Sequence, residues 1–197
     1  MIPFACLLGL IYSFCFKQGN FRSILRKHFH RLPLLFISLA CEMLLAIRFI
    51  DTWLASGSFR VEARVILAVL QYTFLLIFLF GNRRKPGVWL LIAGSFMNGL
   101  VITANRGCMP IGPAIGIFGK DAAARIAGAP DYFLAAGGEP FYFLADLIPF
   151  PLYMISAGDI LISIGIFLLA AYLPKRVLRP RAKAVEQPPD IRYTEGR

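Results

Sequence analysis

Paired cysteines, clustered histidines and acidic residues are what this sequence has least of. Its four cysteines, Cys6, Cys15, Cys41 and Cys108, form no C-x-x-C pair and no zinc-type spacing, which excludes the metal sites and redox motifs built on them. Three of the four lie inside apolar stretches, where a free cysteine behaves as a small hydrophobe. A Cys6–Cys108 bridge stays open, because sequence does not supply the geometry. The two histidines, His28 and His30, sit in the run Arg26-Lys27-His28-Phe29-His30-Arg31 with no carboxylate or cysteine beside them. They read as solvated, not as metal ligands. No phosphate-binding glycine loop, no H-E-x-x-H and no nucleophile elbow is present. Internal repeats are also absent, which lowers transport below simple binding, since transporters are often built from repeated halves.

Apolar residues are abundant, at 58% of 197, too many for an ordinary soluble domain. Five stretches approach the roughly 20 residues needed to cross a hydrocarbon core of about 30 Å. They are residues 2–16, 32–50, 65–81, 87–104 and 152–173. The first is the shortest, about 24 Å at a helical rise of about 1.5 Å per residue. No positive charge precedes it and no small-residue cleavage site follows, so it reads as an uncleaved anchor. The expected fold class is therefore an all-α integral membrane protein, a five-helix transmembrane bundle.

Lys and Arg outnumber Asp and Glu by 21 to 11, a balance that elsewhere signals nucleic-acid binding. Here the basic residues sit in short clusters between apolar runs, the pattern of loops held on the cytoplasmic side of a bilayer. Residues 17–31, 82–86 and 174–197 carry five, three and seven, against two in 51–64 and three in 105–151. This alternation puts the N-terminus outside and the C-terminus in the cytoplasm. It makes the lipid bilayer the partner and argues against nucleic acid.

Residues 105–151 are too long and too apolar for a plain loop. Glycine and proline punctuate them, Lys120–Ile126 suits a short helix, and Phe141, Tyr142, Phe143 and Phe150 suit an interfacial or re-entrant segment on the outer side. Residues 1–173 form the membrane domain of this reading. Residues 174–197, with Pro180, Pro188 and Pro189, form a basic tail expected to be disordered.

Polar side chains inside membrane spans are costly and mark candidate sites. The second to fifth stretches carry Glu42, Gln71, Asn98 and Asp159, all about 15–21 Å from the cytoplasmic ends by helical rise. Ser156, Asp159 and Ser163 share one helical stripe, as do Ser38 with Glu42 and Asn98 with Asn105. Ser95 and Gly99 look like a close-packing contact, and Arg48 with Asp51 like a local ion pair. Two readings compete for the polar groups. In one they hydrogen-bond to one another and hold the bundle together. In the other they line an outward-facing pocket. A third pairs Asp146 with Asp159 as the two carboxylates of an intramembrane aspartyl enzyme. Only thirteen residues separate them, which leaves no room for the helices that divide such aspartates.

Several motifs resemble a bacterial membrane family known only as domain of unknown function 5317. They are the opening Met1-Ile2 helix with its basic loop, Leu32-Pro33-Leu34-Leu35, Asn82-Arg83 and Pro86-Gly87, then Asn98, Asn105-Arg106-Gly107-Cys108-Met109-Pro110, Asp146-Leu147-Ile148-Pro149 and Ser156-Ala157-Gly158-Asp159. The resemblance implies a small polytopic protein of a bacterial cytoplasmic membrane and names no substrate, cofactor or reaction. The family usually has two glycines after the second asparagine. Arg106 replaces the first, which argues against a left-handed turn there. The function expected is binding or moving a small polar or amphipathic molecule. Asp159 is its charged anchor, and Glu42, Asn98, Asn105, Gln71 and Ser156 are polar partners. The runner-up is an accessory or scaffold subunit of a larger membrane complex.

Overall fold

Each of the five apolar stretches contains a helix. The computed structural model describes residues 2–17, 29–46, 57–119, 121–129, 131–151 and 153–174. The long helices are α1 (Ile2–Lys17), α2 (Leu32–Ala46), α3 (Gly57–Gly81), α4 (Val88–Ala104) and α6 (Ala157–Tyr172). Their boundaries follow local chemistry. Pro33 sits in the first turn of α2, where a missing N–H costs nothing. Gly81 ends α3, and Gly87 precedes α4 at φ 77°, a left-handed conformation that suits glycine.

Successive helices run antiparallel, so basic residues gather at one pole. There the Asn82 amide donates to the carbonyls of His30 and Phe78, while its Oδ1 accepts from the His30 N–H. The entry to α2 is thereby tied to the exit of α3. Nearby, the Lys17 ammonium sits 3.3 Å from the centroid of the Tyr172 ring, joining the ends of α1 and α6. The neighbours run in the order α1, α6, α4, α3, α2, so the last helix inserts between the first and the fourth.

Glycine sets how closely these helices approach. A Cβ on Gly94 would strike Gly158 and Ile162, and one on Gly158 would strike the Asn98 side chain. Gly87 meets Gly165 in the same way, and Gly9 on α1 lies against Phe167 and Ala170 on α6. Such small-residue contacts bring backbones together in membrane helix pairs. Gly99 faces the ring of Tyr72 on α3, so the expected Ser95–Gly99 contact is divided. Gly94, not Ser95, supplies the approach to α6.

Residues 105–155 build a small cap over the other pole. Strand β1 (Met109–Ile111) pairs in parallel with β2 (Tyr132–Leu134), in the register Met109 with Tyr132 and Ile111 with Leu134. A 3-10 turn (Pro113–Phe118) and the short helix α5 (Ala122–Ala127) lie between them. A second 3-10 turn (Tyr142–Leu144) leads to a hairpin of β3 (Ile148–Phe150) with β4 (Tyr153–Ile155). The short helix expected near Lys120–Ile126 is present as Ala122–Ala127, starting two residues later and ending one later.

Several expectations are corrected. Among the described residues only α3, over Ala63–Gly81, is both long and apolar enough to cross a membrane; the other four long helices are apolar but shorter. Five helices therefore do not by their lengths amount to five spans. The chain is mostly helical, but the cap adds two small sheets, so it is not all-α. Residues 57–64, read as loop, are the first two turns of α3. The last helix begins at Ala157, not at 152, because the residues before it form β4. Arg106 does adopt the left-handed conformation, at φ 59°, with Gly107 at φ 80°. The Gly107 N–H reaches back to the Ile102 carbonyl at 2.8 Å, closing α4 in a Schellman-type turn despite the arginine. The Arg48–Asp51 pair, His28, and the tail beyond 174 lie outside the described residues.

Candidate functional site

The site begins where α4 ends and α6 starts. Ser156 is the N-cap of α6, and its hydroxyl accepts from the Asp159 N–H at 3.0 Å. The Asp159 carboxylate returns the bond by accepting from the Ser156 N–H at 3.1 Å, completing a capping box. Across the interface, Asn98 on α4 donates from Nδ2 to Asp159 Oδ1 at 2.9 Å and accepts from the Ser156 hydroxyl at 3.0 Å. Gly158 makes the approach short enough for these bonds. Asp159 is thus not a lone carboxylate deep in a helix. It is the third residue of α6, held at the positive end of the helix dipole with both oxygens engaged.

The cap supplies a second carboxylate in a different state. Asp146 runs along β1 as a short third strand, its N–H donating to the Pro110 carbonyl and its carbonyl accepting from the Gly112 N–H. Its side chain is buried, at 6% exposure, and Oδ1 has no hydrogen-bond partner. Burial, and next the negative charge of Asp159, push the Asp146 carboxyl up to about 8. Tyr132, on the neighbouring strand, is pushed up to about 12, chiefly by burial. Asp131 is paired with Arg64, whose Nη2 lies 3.1 Å from Asp131 Oδ1. That arginine belonged to a loop in the sequence reading. It is in fact a buried residue of α3 that anchors the cap.

Between these groups lies a cavity of about 580 Å³, in the range of small-molecule sites. At the cap pole its wall carries Glu42, Asp131, Tyr132, Asp146 and Asp159, with Gln71, Tyr72 and Asn98 beside them. It then runs along the helices between Leu35, Leu75, Phe78, Leu91, Ile162 and Ile166. From Asn98 to Leu91 on α4 is seven residues, about 10 Å of helix, so the cavity is elongated and its polar end is distinct from its apolar one. Among the described residues, no lysine, arginine or histidine lines it.

Of the residues singled out from sequence, Asp159, Glu42, Asn98 and Gln71 do line one cavity. Ser156 and Asn105 do not. Ser156 is fully buried behind Asn98 as the helix cap. Asn105 ends α4, its amide donating to Val101 of its own helix at 2.8 Å and to Pro140 of the cap at 2.9 Å. Its role here is to clip the cap down. Asp131, Tyr132 and Tyr72 were missed. Asp146 was weighed only beside Asp159 as an enzyme pair, and their short separation in sequence proves no bar to sharing a cavity. The signal for it was the Asp-Leu-Ile-Pro motif. Cys6 and Cys108 are not joined by a disulfide, so the bridge left open does not form. Among the described residues, no group of three or more His, Cys, Asp or Glu side chains could hold a metal ion.

An uncharacterised protein of Thermotoga maritima is 26% identical over 180 residues, covering 88% of this chain and 92% of that one. No solved structure matches. The model of a family of unknown function, DUF5317, matches residues 26–171, which takes in α2, α3, α4, the cap and nearly all of α6, and the chain belongs to that family.

Proposed function

We propose that this is a membrane protein that binds a small polar or amphipathic molecule in the cavity beneath its cap. The distribution of side chains supports the membrane setting. The buried residues of α1 are Gly9 and Ser13, while Phe4, Leu7, Phe14 and Phe16 face outward. Phe36, Met43, Ile66, Trp89, Phe96 and Ile164 continue that apolar exterior around the other helices. Water is a poor solvent for such a surface and lipid a good one. Helices of 15–17 residues can span by local thinning of the bilayer and by flanking residues such as Lys17 reaching the interface. In this reading residues 1–173 are the membrane domain and five helices span. The basic pole and the tail 174–197 are cytoplasmic, the N-terminus is outside, and the cap faces outward.

The cavity carries the functional half of the proposal, because converging polar groups at one end of an otherwise apolar wall are what a bound amphipathic molecule requires. Native mass spectrometry of the full chain in nanodiscs tests it. The expected result is a retained ligand, lost in a cavity-filling Leu75→Trp variant that remains monodisperse. Absence of any ligand, with full rescue of a deletion strain by Leu75→Trp, would reject the pocket. One observation favours the accessory-subunit reading instead: the Ser156–Asn98–Asp159 network satisfies itself and asks for no ligand. An enzyme using Asp146 and Asp159 stands behind both, since Asp159 has both oxygens engaged.

A further inference from the structure

Resting on that reading, we infer that the ligand is an amphipathic amine whose cationic head is received by Asp146, with its chain lying along the apolar length of the cavity. Asp159 looked like the anchor by sequence, yet its oxygens already accept from Asn98 and Ser156. Asp131 is engaged by Arg64. Asp146 lines the cavity and carries a buried oxygen without a hydrogen-bond partner. Leaving such an acceptor dry and unpaired costs free energy, which a donor brought by a ligand would recover. A cationic donor fits best. Glu42, Asp131 and Asp159 share the same end of the cavity, and among the described residues no basic side chain lines it, in a protein whose net charge is +10. The tyrosines Tyr72 and Tyr132 add aromatic surface, which also suits ammonium groups. A divalent metal is disfavoured, because no cluster able to hold one exists among the described residues. The elongated apolar wall asks for a hydrocarbon chain behind the charge.

Charge balance then makes binding visible as proton release. With its carboxyl raised to about 8, Asp146 holds a proton at neutral pH in the empty cavity. A cation beside it lowers that value and expels the proton. The ionisable groups around it are Asp159 on α6, Glu42 on α2, Tyr72 and the paired Arg64 on α3, and Asp131 and Tyr132 at β2. Arg125 on α5 and Tyr153 on β4 face it across a second, smaller cavity.

The test uses the full chain in zwitterionic nanodiscs, titrated at pH 7.5 with n-octylammonium, n-octanol and n-octanoate, with empty nanodiscs subtracted. Octylammonium should bind saturably and at least about ten-fold more tightly than octanol, and octanoate should not bind. Calorimetry in buffers of different ionisation enthalpy should show release of up to about one proton per ligand. Asp146→Asn should abolish the release and weaken octylammonium about ten-fold, with octanol unchanged. If that variant does not fold, proton release by the native protein decides alone. Equal binding of octanol and octylammonium without proton release would overturn the cationic head and leave the pocket standing. Binding of none of the three overturns the inference, and takes the pocket with it if no ligand copurifies.

Discussion

In α1 and α6 the residues that disappear from the surface are Gly9, Ser13, Gly158, Ser163, Gly165 and Ala171, while Phe4, Leu7, Ile11, Phe16 and Ile164 point away from the bundle. In the cap they are Ile111, Ile115, Ala122 and Met154, packed on one another with Phe118 and Ile126 as in a small water-soluble core. Helix α6 follows the cap directly in the chain, yet the two regions are held together differently. The bundle relies on backbones brought close, so added volume breaks it. The cap relies on side chains filling a core and on a few polar clips at its edge, so lost groups break it.

The largest effect should come from adding volume to the bundle. Gly158→Leu would drive a side chain into Asn98 and Gly94, and an overpacked contact of this kind costs about 3 kcal/mol or more. Fluorescence-detected size exclusion and thermal unfolding in detergent should show severe loss of folded protein; a native-like melt would mean that the α4–α6 contact is looser than described. A smaller and more local effect is expected at the cap. Asn105→Ala removes the donors to Val101 and Pro140, at a cost of about 1–2 kcal/mol. Limited proteolysis should then cut between residues 136 and 140 while the helices stay intact. Smallest, and opposite in sign, is Arg106→Gly. Relieving the left-handed arginine should stabilise the end of α4 by about 1 kcal/mol, read as a small rise in melting temperature.

Helices were legible because an apolar run of fifteen residues leaves the backbone few other ways to satisfy itself. Their ends were less so. Arg60, Glu62 and Arg64 interrupt hydropathy without interrupting the helix, so α3 was read two turns short. Leu152–Ile155 is apolar enough to be taken as helix, and short apolar runs do not distinguish helix from strand. Depth arithmetic found Glu42, Gln71, Asn98 and Asp159 because helical rise is regular. The shared face with Asn98 suggested Asn105 as well, but that residue turns back onto its own helix end. Asp131, Tyr132 and Asp146 reach the cavity through chain reversals in the cap, and no periodicity encodes those.

The neighbour order α1–α6–α4–α3–α2 also dictates when the protein can finish assembling. Helices α2, α3 and α4 find partners next to them in sequence and can pair as each leaves the ribosome. Helix α1 packs chiefly on α6, which is made more than 130 residues later, so its Gly9 and Ser13 face waits uncovered in the interval. The glycine face of α4 waits for the same arrival. One late event therefore joins α1 to the rest, brings Gly158 against Asn98, and forms the capping box at the cavity's polar end. Until α6 is in place the chain has helices but no site, and a ribosome that stalls before it leaves two packing faces open to other membrane chains.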